Sequence, residues 1–82
     1  MQPGTMEIDV HGMNKYQARV FIDSRLKRAD RSVYRVRIIH GYRGGTELRD
    51  MVRREYGENH QRVLRIIHGI NPGETELVLR EY

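Results

Sequence analysis

The chain reads as an α/β two-layer sandwich of order βαβαββ, with a mixed four-stranded sheet and both helices on one face. Three observations carry this reading. Apolar stretches run into His-Gly three times, at Ile8-Asp9-Val10-His11-Gly12, Ile38-Ile39-His40-Gly41 and Ile66-Ile67-His68-Gly69, and each reads as a strand that stops at a histidine and turns sharply. The two segments between them carry apolar residues at helical spacing. The length of 82 residues suits a single small domain, and a domain of that size buries only about 60 to 65% of the surface its unfolded chain exposes.

Met6 to Val10 alternates Met6, Ile8 and Val10 with Glu7 and Asp9, the period of a strand with one buried face. Residues 1–5 are expected to be a flexible N-terminus and residues 6–82 the domain. Asn14 follows the first turn with Gln17 three residues on, a capping-box pattern. Ala18, Phe21, Ile22, Arg25, Leu26 and Ala29 then recur along a helix expected to end near Arg31. Val33 to Ile39 is the second strand, with Tyr34, Val36 and Ile38 on one face and Arg35 and Arg37 on the other. Gly44-Gly45 breaks the chain before Thr46, a good cap for a second helix striped by Leu48, Met51, Val52 and Tyr56. Gly57 stands where a C-cap glycine would. Val63 to Ile67 is the third strand, Asn71-Pro72-Gly73 a turn, and Glu76 to Arg80 the fourth strand. A right-handed crossover makes the first two strands parallel and brings His11 and His40 to one end of the sheet. Asp9, Arg35, Arg37 and Arg65, with Arg80 as a further candidate, then face the open side.

Arg37-Ile38-Ile39-His40-Gly41 recurs as Arg65-Ile66-Ile67-His68-Gly69, and Thr46-Glu47-Leu48 as Thr75-Glu76-Leu77. Two short copies make no solenoid, and the first is followed by a helix and the second by a strand. We read this as local convergence on one strand-turn solution.

Composition narrows the partners. The net charge is +4 and 13 of the 15 basic residues are arginine, whose planar fork grips phosphate where lysine offers a point charge. A polyanion fits that bias, although 11 acidic residues can also absorb it in surface pairs. Cysteine is absent, which excludes disulfides and thiolate metal sites. With no long apolar run and no basic and apolar leader in Met1 to Thr5, the default expectation is a soluble cytoplasmic protein, taken as a monomer and without a membrane partner.

The chemistry gathers at the first two His-Gly turns. Asp9 and His11 are two apart and point the same way on a regular strand, roughly 7 Å apart along it. His40 arrives from the neighbouring strand, and Gly41 to Gly45 leads into a helix N-terminus, where backbone N–H groups can seat a phosphate. An imidazole beside a seated phosphodiester can act as general base or acid. A carboxylate next to it can fix its tautomer or help hold a divalent cation such as Mg or Mn. Spacing alone leaves open the plainer reading, a turn with a polar cap. No compact metal-ligand spacing is present.

Ile8-Asp9-Val10-His11-Gly12, followed by Asn14 and Ala18, resembles the Leu-Asp-Leu-His-Gly opening of the Smr (small MutS-related) domain. His40-Gly41-Tyr42-Arg43-Gly44-Gly45-Thr46-Glu47-Leu48-Arg49 is similar to that family's His-Gly-x-Gly-x-Gly motif followed by Leu-Arg. Gly73-Glu74-Thr75-Glu76-Leu77-Val78-Leu79 is similar to its closing Gly-Ala-Thr strand. The resemblance runs from Met6 to Tyr82. It implies a βαβαββ sandwich akin to the C-terminal domain of bacterial translation initiation factor three, and binding of nucleic acid, DNA or RNA. It also implies endonuclease activity, on DNA in members fused to MutS-type proteins and on RNA in some stand-alone ones. By position it makes Asp9, His11 and His40 catalytic, Asp9 orienting His11 and both histidines moving protons. Gly41, Arg43, Gly44, Gly45 and Arg49 would then seat the phosphate, with Lys15 and Arg19 nearby. Arg43 departs from the family's glycine and the loop is one residue longer. Arginine takes positive φ only at a cost, so the loop's path is expected to differ, with the guanidinium compensating on the phosphate. The alternatives are a non-catalytic module for structured RNA or branched DNA, and a protein-interaction domain. His68 and His60 are given structural or surface roles.

Overall fold

A capping box starts the first helix. Asn14 accepts from the Gln17 N–H at 2.8 Å while the Gln17 side chain accepts from the Asn14 N–H at 3.1 Å, so two orphan donors are satisfied reciprocally. The computed structural model describes residues 4–57, 60–68 and 71–81. They form β1 (Thr5–Asp9), α1 (Lys15–Arg28), β2 (Arg35–Ile39), α2 (Glu47–Gly57), β3 (Arg65–His68) and β4 (Glu74–Val78), the expected order. Strand and helix ends shift by up to three residues from the sequence reading. Residues 1–3, 58–59, 69–70 and 82, among them Gly69 of the third His-Gly motif, lie outside the described residues.

The sheet order is β1-β2-β4-β3, with β1 and β2 parallel and β4 antiparallel to both its neighbours. β1, β2 and β3 therefore run the same way, and His11, His40 and His68 lie along one rim. His11 and His40 come from adjacent strands there. His68 lies beyond β4, two strand spacings or about 10 Å from β2. The two repeat copies are not equivalent across β4: Thr75 pairs with Ile38 on one side and with His68 on the other. The copies are thus offset by two residues across β4.

One face of the sheet, through Ile8, Val36, Ile38 and Leu77, packs against Ala18, Ile22 and Leu26 of α1 and Met51, Val52 and Tyr56 of α2. Tyr56 sends its hydroxyl to the Asp23 carboxylate at 2.6 Å, which satisfies the polar end of a buried ring. The opposite face carries charge, as alternation demands. Gly57 corrects one expectation. It is the last residue of α2 and has no positive φ; a Cβ there would meet the Ile66 side chain at 3.1 Å. Close packing of helix on strand, rather than a left-handed cap, is what a glycine serves at that position. Among the described residues no helix is long and apolar enough to cross a membrane.

Candidate functional site

Val10 to Met13 closes a four-residue turn, with the Met13 N–H bonded to the Val10 carbonyl at 3.0 Å. Gly12 takes φ 84° at its third position, the conformation that such a turn reserves for glycine. That leaves His11 at the second position, thrown outward, with 68% of its side chain exposed. Asp9 holds it by two bonds: Oδ1 accepts from the His11 backbone N–H at 3.1 Å and from ring Nδ1 at 2.5 Å. The ring bond keeps the Asp9 carboxyl below the usual carboxylate range. An ionised carboxylate only accepts, so Nδ1 carries the proton and Nε2 presents a lone pair. No described residue bonds to Nε2.

His40 is placed quite differently. It is 4% exposed, and both ring nitrogens are engaged: Nδ1–H donates to the Gly41 carbonyl at 2.8 Å, and Nε2 accepts from the Thr75 hydroxyl at 2.9 Å. Burial pushes its pKa down, the Gly41 carbonyl opposes that, and the charges of Arg53 and Arg49 add to it. His40 is thus held neutral, with no nitrogen free for a proton transfer. The strand-end turn is tied to the opposite hairpin as well, since the Gly73 carbonyl accepts from both the His40 and Gly41 N–H groups at 2.9 and 3.0 Å.

The loop after β2 takes positive φ at Gly41 (78°) and Gly45 (109°), and no described non-glycine residue does. Arg43 therefore sits in ordinary backbone, so the loop asks no positive φ of the arginine that stands at the family's glycine position. The Gly41 N–H already serves Gly73, so Gly41 shapes the loop and does not donate to a ligand. Thr46 precedes α2, as expected of a cap, but its hydroxyl donates to the Asp50 carboxylate at 3.0 Å. The first N–H groups of α2, from Glu47 onward, are the orphans that any helix leaves at its start.

His11, Gly12, Met13, His40, Gly41, Tyr42, Arg43, Gly44, Gly45 and Glu47 line an open cleft of about 540 Å³. Of the residues expected at the site, the structure brings His11, His40, Gly41, Arg43, Gly44 and Gly45 into that cleft, with Asp9 behind His11. It leaves three others outside. Arg49 folds onto Asp50 at 3.1 Å, Arg19 pairs with Glu55 at 3.4 Å, and Lys15 stands exposed at the start of α1. Among the described residues no group of three or more His, Asp or Glu side chains is placed to hold a metal ion. Gly73 and Thr75 support the site and had no role assigned from the sequence; their signal was the closing Gly-x-Thr pattern. His60, expected in an exposed loop, is half-buried with its ring 5.0 Å from that of Tyr56.

A family model described as Smr domain matches residues 8–64. The crystal structure of the Smr domain of Thermus thermophilus MutS2 matches with a TM-score of 0.82 at 25% identity, over 93% of this chain and 99% of that one. No curated protein sequence matches significantly.

Proposed function

The chain belongs to the Smr domain family, whose members bind nucleic acids, and from that premise we propose that it binds DNA or RNA at the His11 cleft and cleaves a phosphodiester there. The observation that supports this most is the Asp9–His11 pair: an exposed imidazole that lines the cleft, with its tautomer set by a carboxylate at 2.5 Å and its Nε2 bonded to no described residue. In this reading Nε2 takes the proton from the attacking oxygen, which is water or, in RNA, the ribose 2′-hydroxyl, as that oxygen bonds to phosphorus; the bond from phosphorus to the leaving ribose oxygen breaks, and that oxygen takes a proton from solvent water. Asp9 keeps the ring oriented and balances the charge that develops on it. Arg43 grips the non-bridging phosphate oxygens, and the N–H groups of Gly44, Gly45 and the first turn of α2 complete the seat. His40 is a positioning residue, which locks the strand end to Thr75 and Gly73 so that the loop faces His11. No step is routed through a metal ion.

The test incubates supercoiled DNA and labelled RNA with the wild type and with His11→Ala, Asp9→Asn and Arg43→Ala, each with and without divalent ions. Cleavage by the wild type that His11→Ala abolishes is the expected result. If purified wild type cleaves neither substrate but still retards them in a gel, the catalytic part is wrong and a binding module remains. Absence of any binding leaves a protein-interaction domain.

A further inference from the structure

Two of the most exposed large side chains are tyrosines near the cleft. Tyr42 lies in it, 56% exposed, with one edge braced close to Gly73, where a Cβ would come within 3.3 Å of its ring. Tyr16, 77% exposed, lies with Val20 and Phe21 in a shallow groove on α1 of about 480 Å³, and Met13 lines both this groove and the cleft. The two tyrosines therefore sit in hollows that meet at Met13, and His11 lines the one that holds Tyr42. The α1 flank of these hollows is basic, while Glu47 lines the cleft and Arg19 is paired with Glu55 at 3.4 Å. α1 carries Lys15, Arg19, Arg25, Lys27 and Arg28 against a single acid, Asp23, whose carboxylate is taken by the Tyr56 hydroxyl at 2.6 Å.

We propose that Tyr42 and Tyr16 are stacking platforms for bases of the strand whose phosphate lies at His11, and that the substrate is therefore an unpaired nucleic-acid segment. This deepens the proposed function and rests on it. Bases in a duplex are stacked on one another and turn only their edges outward, whereas an unpaired strand can lay its base faces on aromatic rings. A phosphate backbone complements the basic flanks of α1, and the apolar strip between them complements base faces. A purely apolar partner would leave those charges unanswered.

The test uses His11→Ala, so that binding is read without cleavage, and measures anisotropy of labelled oligonucleotides of one length as single strands (DNA and RNA) and as a blunt duplex, at one salt concentration. The expected result is a preference for the single strand. Adding Tyr16→Ala or Tyr42→Ala lowers affinity for it by about tenfold each, with little change on the duplex, and Tyr16→Phe or Tyr42→Phe retains it. A thermal melt of each variant separates lost stacking from lost folding. Preference for the duplex, or alanine variants that bind the single strand as well as their parent, overturns the inference and leaves the proposed function standing. Absence of binding to either form overturns both. A dimer in sedimentation that Tyr16→Ala abolishes would assign the strip to a second copy of the chain and overturn the inference.

Discussion

Asp9 grips His11 through both its backbone N–H and its ring, so Asp9→Asn is the sharper probe of the pair. The amide can still accept from the backbone, but it no longer supplies a charge and can turn its NH₂ toward Nδ1. That would favour the wrong tautomer. We expect single-turnover cleavage to fall by about 10²- to 10⁴-fold with affinity for nucleic acid nearly unchanged; equal losses in rate and affinity would make Asp9 a binding residue. His40 is expected to report on stability. The folded chain keeps it neutral below its ordinary value of 6.5, where the unfolded chain protonates, so the unfolded state binds more protons there. Stability is then full above about pH 6.5 and drains as pH falls toward the lowered folded value, by at most about 1.4 kcal/mol per pH unit. Urea midpoints from about pH 7.5 to about pH 5.5 check this, and a wild type no more sensitive than His40→Gln would contradict it. Thr75→Val should cost about 1–3 kcal/mol by leaving Nε2 unsatisfied. The Asp9–His11 pair was legible because both members lie on one strand end. The role of His40 was not, because its partners Thr75 and Gly73 come from a hairpin more than thirty residues later.

Elements were most legible where chain chemistry is local. The capping box announced α1, and period-2 alternation announced β1 and β2, because each pattern is a few residues long and dictates its own geometry. Glycine roles depend on neighbours brought by the fold, and there the sequence reading went astray. Gly57 serves the Ile66 side chain and not a cap. Arg43, by contrast, was expected to change the path of its loop, and it stands there without a positive φ, the left-handed positions being Gly41 and Gly45. The loop thus gives a paired prediction. Gly41→Ala and Gly45→Ala should each destabilise by roughly 1–2 kcal/mol for the left-handed conformation, which lowers the melting temperature by about 4–8 °C per kcal/mol in a domain of this size. Arg43→Ala should leave it within about 0.5 kcal/mol of the wild type. A melt in which Arg43→Ala is the more harmful would show that the arginine braces the loop instead of facing a ligand.

The whole molecule separates its charges in a way that composition conceals. On the open face of the sheet, Arg37 meets Glu7 at 3.0 Å, Glu74 at 3.6 Å and Glu76 at 3.9 Å, and Arg35 meets Glu76 at 3.6 Å. Arg65 pairs with Glu81 at 2.6 Å beside them. That face, expected from strand alternation, exists, yet its arginines are already answered by carboxylates across the strands. The net +4 was readable from the sequence, but its location was not, because cross-strand pairing depends on the order β1-β2-β4-β3. α1, with five basic residues against Asp23, and Arg43 of the glycine loop hold the less compensated charge, which makes them the expected polyanion surface. Phosphate contacts release counterions, so the slope of log affinity against log salt counts them. Arg43→Ala should lower that slope by about 1, whereas Arg37→Gln should leave it unchanged, since Arg37 is spent on Glu7, Glu74 and Glu76. Gel shifts of one oligonucleotide over a salt series measure both. The reverse pattern, a smaller slope for Arg37→Gln and an unchanged one for Arg43→Ala, would move the interface to the open face of the sheet and detach binding from the His11 cleft.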